Sequence, residues 1–572
     1  MAAVPNHGVY RPIVRRCVRS GSDERVLHFD PTMPVTQKRL CVAVCSVLPT
    51  CQLRGAALLA VAVLALCGCA LVFRSPPADQ PPVALDLQAC SEWYAALDQQ
   101  IESAGVRDSA ATRIGGFAYL RSDRFSAALG GVLTAPVADV GNEAKARRQA
   151  LVRHLTNLDL QARWHEISNL PQAVRVGLAS GLGNTGEVAH VWQHAQACAL
   201  RLGASDAESP QQMARLQARL VVPDDYATGY RMLGLYALTH IPFVIGVQAF
   251  EAQREAAFLR DRPPPPGTQR VRLSPPARPP LGSMTSARLR KMLTPAAEDP
   301  LGLPAPDAEA LDHLYAQFAP IFELDIGNDD DRPGALAWRE CSRQSTCATP
   351  VVDTAMPVVY RQYAHTRYQG RNLLQLVYTI WFGHRRAARS DALDWLSGRL
   401  DGVVFRVTLA PDGTPLVYDS MHPCGCYHMF FPTPAARPRP AAQSHIEWAF
   451  SPQRLPAIGV QNRVVVRVAA GTHYVERLGV EREDAPGQYA WRDYDSLRSL
   501  PTPGGATRSV FGADGFIAGT DRAEAWLFWP MGVRRAGAMR QWGRHATAFV
   551  GRRHFDDADL FERRLDLDLG RE

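Results

Sequence analysis

Imidazole and thiol side chains crowd one short stretch of the chain, Tyr418-Asp-Ser-Met-His422-Pro-Cys424-Gly-Cys426-Tyr-His428. His422, Cys424, Cys426 and His428 fall at every second position, so an extended strand would turn all four to one side. These are zinc-type ligands. A straight strand would carry His422 about 20 Å from His428. One tetrahedral zinc ion therefore needs the chain to fold back, which Pro423 and Gly425 allow. Thiol chemistry competes with this reading. A Cys-x-Cys pair can close a small, strained and so reducible disulfide. Alternatively, one cysteine beside a histidine can act as a thiolate nucleophile. The plain structural reading is a hairpin end pinned by a Cys424–Cys426 bridge, with both histidines satisfied locally. His365, Asp419, His473 and His545 are the residues elsewhere that can complete a catalytic site around His422, Cys424, Cys426 and His428.

Other polar clusters point less clearly to chemistry. His190 and His194 share a helix face, but His190-Val-Trp-Gln-His194 lacks the glutamate of a zinc-protease helix. Asp325-Ile-Gly-Asn-Asp-Asp-Asp-Arg-Pro-Gly334 gathers carboxylates without the spacing of a calcium loop, and reads as a turn with solvated acids. His545 and His554 lie among Arg553, Asp556 and Asp557, as in a salt-bridged surface segment. The chain contains no phosphate-binding loop of the G-x-x-x-x-G-K-S/T type, no serine nucleophile elbow and no His-Glu-x-x-His motif. Its net charge of +7 is spread along the length, without a basic tract interleaved with aromatics, so the pattern is not that of a nucleic-acid binder.

The elements that carry these residues follow a hydrophobic run. Gly55–Phe73 is uncharged and apolar, bounded by Arg54 and Arg74. Its helical length would approach the thickness of a bilayer core. It ends in Leu66-Cys67-Gly68-Cys69, which resembles the lipobox of bacterial lipoproteins. The resemblance covers residues 54–69 and implies cleavage before Cys69 and a lipid on that cysteine. The other reading is an uncleaved transmembrane helix, with Arg11, Arg15, Arg16, Arg19, Lys38, Arg39 and Arg54 on the cytoplasmic side. Both place the body outside the cytoplasm, anchored in the cell envelope. The cysteines agree. Six of twelve lie in or before the run, and six follow it: Cys90, Cys198, Cys341, Cys347, Cys424 and Cys426. An even set suits disulfide pairing in an oxidising compartment. Cys341 with Cys347 would close a local loop, leaving Cys90 with Cys198 as one of fifteen connectivities.

Periodicity divides the rest. Residues 1–54 are a leader, 55–73 the signal or anchor and 74–86 a Pro-rich spacer. Residues 87–260 read as a mainly helical domain, with stripes such as Trp93, Leu97 and Ile101. Within it, Met232–Phe250 suggests two buried helices broken at Pro242, or a second membrane contact. Residues 261–299 read as a Pro-rich linker. Residues 300–572 read as an antiparallel, β-rich α+β domain. A helix is expected near Ala308–Phe318, hairpins at Val358–Phe382, Val403–Ser420 and Val464–Leu478, and a strand at Ala525–Trp529. The fold class is thus α+β. The function expected first is a membrane-anchored envelope protein that binds a ligand, glycan or protein partner. A metal- or thiol-dependent enzyme at His422–His428 is the alternative.

Overall fold

Apolar residues three and four apart bury one face of each early helix. The computed structural model describes residues 86–132, 141–180, 186–260, 263–276, 285–341, 344–386, 394–441, 445–482 and 484–570. The leader, the run Gly55–Phe73 with Cys69, and the spacer up to residue 85 lie outside the described residues. So do the side chains of Cys341 and Cys347. Among the described residues no helix is long and apolar enough to cross a membrane.

Helices α1 (Leu87–Ala104), α2 (Arg124–Val132), α3 (Asn142–Asn169), α4 (Gln172–Ala179), α5 (Val188–Glu208) and α6 (Pro210–Arg219) surround a small hairpin, β1 (Thr112–Ile114) and β2 (Phe117–Ser122). Asp86 caps α1 by accepting from the Ala89 N–H. Leu97 and Ile101 of α1 meet Leu151 and Leu155 of α3 and Val191 of α5 in one core. A Cys90–Cys198 disulfide ties α1 to α5. Next come α7 (Thr228–Leu233) and α8 (Tyr236–Phe258). The stretch read as two buried helices broken at Pro242 is different here. α8 runs through Pro242, and its outer side chains Leu238, Ile241 and Ile245 are exposed. Pro242 removes only the bond to the Leu238 carbonyl, and the remaining ladder carries the helix on.

Prolines flank structure in the stretch 261–299 rather than exclude it. Strand β3 (Gln269–Ser274) and helix α9 (Ser286–Leu293) form there. Helix α10 (Ala308–Phe318), capped by Asp307, leads into β4 (Ile321–Ile326). Two strands, β5 (Ala335–Cys341) and β6 (Gln344–Asp353), make a separate ribbon. The expected hairpins then appear as β7 (Val358–Tyr368) with β8 (Arg371–Arg385), and β9 (Gly398–Leu409) with β10 (Pro415–Met421). The β7–β8 turn places Gln369 and Gly370 at φ of 48° and 81°, the left-handed pair that a two-residue hairpin turn demands. The chain continues through β11 (Met429–Pro432), β12 (Ala436–Pro438), β13 (Arg463–Val468), β14 (Val475–Glu481), β15 (Gly487–Gln488) and β16 (Ala490–Asp493).

One sheet has the order β11-β10-β9-β8-β7-β16 and the other β14-β13-β4-β3-β15. Most pairings are antiparallel, but β16 with β7, β13 with β4 and β15 with β3 are parallel. The two sheets share a core in which Leu376, Tyr378 and Ile380 of β8 meet Phe322 of β4 and Val466 of β13. Trp381 points the other way, into a core with Leu400, Cys424 and Met539. β8 is buried on both faces, so its sequence reads as nearly continuous apolar residues. Ala525–Trp529 is not a strand. It is a short helix, α11 (Ala525–Phe528), followed by a 3-10 turn ended by Gly532. The Phe528 N–H bonds to the Glu524 carbonyl, so the segment satisfies its backbone locally. The chain is thus of mixed α+β class.

The described helical and sheet regions form one compact unit. Arg498 donates to both carboxylate oxygens of Asp108, at 2.8 and 3.0 Å, in a buried seam between them. Asn169 and His165 of α3 reach Arg498 and Ser499 across the same seam.

Candidate active site around His422 and Cys424

Pro423 and Gly425 turn the chain back on itself between β10 and β11. The Gly425 N–H bonds to the His422 carbonyl at 2.8 Å, and the His422 N–H to the Cys426 carbonyl at 3.0 Å. Residues 422–428 therefore form a tight loop, and the alternation of a straight strand does not apply. Gly425 has a φ of 89°, and a Cβ there would fall 2.4 Å from the Ala546 carbonyl oxygen, so glycine is required twice over. Tyr427 also has a positive φ, of 60°, held by packing against His422, Tyr474 and Phe250 of α8. The far side of the loop is fixed through Pro423. Its carbonyl accepts from the Arg540 N–H at 2.9 Å and from His545 Nε2 at 3.1 Å.

Asp401, at the start of β9, holds the near side. Its Oδ1 lies 3.0 Å from His422 Nδ1, and its Oδ2 lies 3.0 Å from His473 Nδ1. His473 Nε2 is 3.2 Å from Asp331 Oδ1. Arg522 approaches Asp401 to 3.4 Å and Arg385 to 3.8 Å. Burial alone would keep Asp401 protonated, but His422 and Arg522 outweigh it and hold the carboxyl well below its usual range. A carboxylate only accepts, so both His nitrogens that face Asp401 carry protons. His473 lies between two carboxylates. Burial disfavours its charge, yet hydrogen bonds to Asp331 and Asp401 prevail and raise its pKa. His422 is different. Burial, with Arg385 and Arg522 nearby, lowers its pKa despite Asp401. Its proton faces Asp401 on Nδ1, and its buried Nε2 has no hydrogen-bond partner among the described residues.

The two thiols are free, so the expected Cys424–Cys426 bridge is not formed. The physical reason is local. The Cys426 N–H points at Cys424 Sγ, 3.4 Å away, and the two side chains share a hydrogen bond. Their acidities diverge. Burial would raise Cys424, but the Cys426 thiol and the Arg522 guanidinium overcome it and lower its pKa. Cys426, as the donor beside that thiolate and fully buried, is pushed well above the ordinary thiol range. Glu524 acts electrostatically on both thiols. Burial lifts its carboxyl to about 7, against the pull of Arg522 and Arg385.

His428 is held elsewhere. Its Nε2 meets Asp419 Oδ2 at 2.9 Å, and Asp419 is in turn held by Arg406. Burial depresses the pKa of His428 to about 3. Of the four ligand candidates, His422, Cys424 and Cys426 share the loop, while His428 is taken up by Asp419. Among the described residues, no group of three His, Cys, Asp or Glu side chains is arranged to hold a metal ion. The guanidinium groups of Arg522 and Arg540 beside the thiols oppose a cation there. Of the other candidates, His473 joins the site through Asp401, and His545 supports the loop. Asp419 pairs with His428, and His365 bonds to the Pro304 carbonyl. His190 faces solvent beside Glu187, and His554 lies among Asp224, Asp225 and Asp557.

Asp401, Arg522, Glu524 and Arg540 give no local signal in the sequence. Asp331 sits within the acidic run 325–334. That run supplies ion pairs as well as the His473 contact, since Asp325 faces Arg270 and Asp330 faces Arg386. Compared with protein-family models, curated proteins and solved structures, the chain matches none.

Proposed function

We propose that this chain is a membrane-anchored, extracytoplasmic protein whose 422–426 loop performs thiol–disulfide exchange. The observation that carries the reading is the hydrogen-bonded pair of free thiols with opposite acidities, Cys424 lowered and Cys426 raised. Thiolate is the attacking form. Cys424 attacks one sulfur of a substrate disulfide, the S–S bond breaks, and the first substrate thiolate leaves and takes up a proton. Cys426 then gives its proton to Glu524, whose carboxyl near neutrality is suited to accept it. Cys426 attacks Cys424 Sγ, and the second substrate thiolate leaves, recovering that proton. The substrate disulfide ends as two thiols, and the protein holds a Cys424–Cys426 disulfide. His422 and Asp401 position the loop. The metal-dependent version is not carried further, because His428 is bound to Asp419 and the guanidinium groups of Arg522 and Arg540 flank the thiols.

The test uses a small disulfide. Oxidised glutathione incubated with the protein should yield a Cys424–Cys426 bridge in peptide mapping. Cys426→Ser should instead accumulate a glutathione adduct on Cys424. Equal adduct on both cysteines, or none under conditions where denatured protein reacts, would sink the proposal. A non-catalytic binding protein is the second reading, and one observation favours it: α7, α8 and α11 expose a continuous apolar face.

A further inference from the structure

That apolar face has a definite composition. Met232 and Leu233 of α7 are followed by Leu235, Leu238, Ile241 and Ile245, all exposed, with Leu233 at 78 %. From Leu235 to Val247 the chain carries no Asp, Glu, Lys or Arg. Trp526, 81 % exposed, and Leu527 belong to α11 beside it. The two segments are joined by packing, since Phe243 meets Phe528 and Tyr230 meets Trp529. Gly234 lies so close to Pro530 that a Cβ would approach it to 2.6 Å. Scattered exposed apolar residues are ordinary, but a contiguous set of this kind marks a docking surface.

The sequence names an occupant. Residues 74–85 alone separate the apolar run Gly55–Phe73 from Asp86. Fully extended, they span at most about 40 Å. The body is thereby confined next to the bilayer that takes the run. α8 is not long and apolar enough to cross. Aliphatic side chains bordered by Trp and Tyr match a surface that enters only the headgroup and upper acyl layer.

We propose that the face formed by α7, α8 and α11 docks on the bilayer surface to which the chain is anchored. The proposal rests on the anchoring part of the reading above and not on the thiol chemistry. Leu238, Ile241 and Trp526 enter the lipid, while the opposite side of α8 stays on the protein, where Phe250 covers Tyr427 and Tyr474.

Photo-crosslinking separates the two claims. The full chain is reconstituted in vesicles of phosphatidylethanolamine and phosphatidylglycerol that contain a diazirine-bearing phospholipid. After illumination, lipid adducts are mapped by mass spectrometry. Adducts within 55–73 report the anchor. Adducts within 232–245 and on 526–529 are expected in addition, and they should be lost in Leu238→Asp/Ile241→Asp with those at 55–73 kept. Circular dichroism of that variant should match the parent, since both positions are exposed. Adducts at 55–73 alone would overturn the docking and leave the anchor intact. Cross-links from α8 to a second copy in place of lipid would also overturn it. An absence of adducts at 55–73 as well would remove the anchor itself.

Discussion

The pKa of Cys424 is lowered by two neighbours that differ in kind, a thiol donor and a guanidinium. The rate of its alkylation by iodoacetamide, followed by peptide mapping, should therefore rise through a midpoint below that of an ordinary cysteine. Arg522→Gln removes the cation and should raise the midpoint. An unmoved midpoint would show that Arg522 does not act on the thiol. His422, Cys424 and Cys426 were legible in the sequence because their types are rare and their spacing short. Their partners were not. Asp401 lies 21 positions before His422 and Asp331 lies 142 before His473, and nothing in a run of acids shows which one meets a histidine in space.

Elements were legible where a local pattern dictates the backbone. The β7–β8 hairpin follows from alternation on both sides of Gln369-Gly370, and α10 from its Asp307 cap. Segments whose conformation depends on a distant neighbour were read less well. α8 stays whole through Pro242, where only one ladder bond is lost, and Ala525–Phe528 coils with its backbone satisfied locally. The seam between α3 and the sheet region depends on such a neighbour too. Asp108 is fully buried, but Arg498 holds it ionised far below the usual carboxylate range. A depressed carboxylate contributes stability that is present above its unfolded value, near 3.8, and is lost as pH falls through the folded value. Asp108→Asn leaves Arg498 buried with half its partners and should cost about 3–5 kcal/mol in urea unfolding at neutral pH. The difference from the parent should shrink below about pH 3.8, as the parent begins to protonate the same group. A constant difference across pH would mean that the amide damages packing and not the ion pair.

At the scale of the whole molecule, a boundary read from proline content differs from how the chain packs. The stretch 261–299 places β3 inside the five-stranded sheet, and the helices before it are joined to the segments after it through Asp108, Asn169 and Tyr226. Composition reports what a segment cannot do as a regular helix, but not what it packs against. The Cys90–Cys198 disulfide closes a loop of separation 108 inside this one unit. In the chain-entropy account, a loop of about that length restrains the unfolded state by roughly 4–5 kcal/mol. Cys90→Ala/Cys198→Ala should therefore lower the urea midpoint strongly. Because the seam joins the helical core to the sheets, unfolding should remain one transition, with far-ultraviolet ellipticity and the near-ultraviolet signal of buried sheet aromatics such as Trp381 changing together. If the helical signal were lost first while the surroundings of Trp381 stayed native, residues 87–260 would be an independent unit after all, and the seam at Asp108 would be a contact between domains. A single shifted transition would show that the bridge between α1 and α5 stabilises the thiol loop as well, although no residue of that loop touches it.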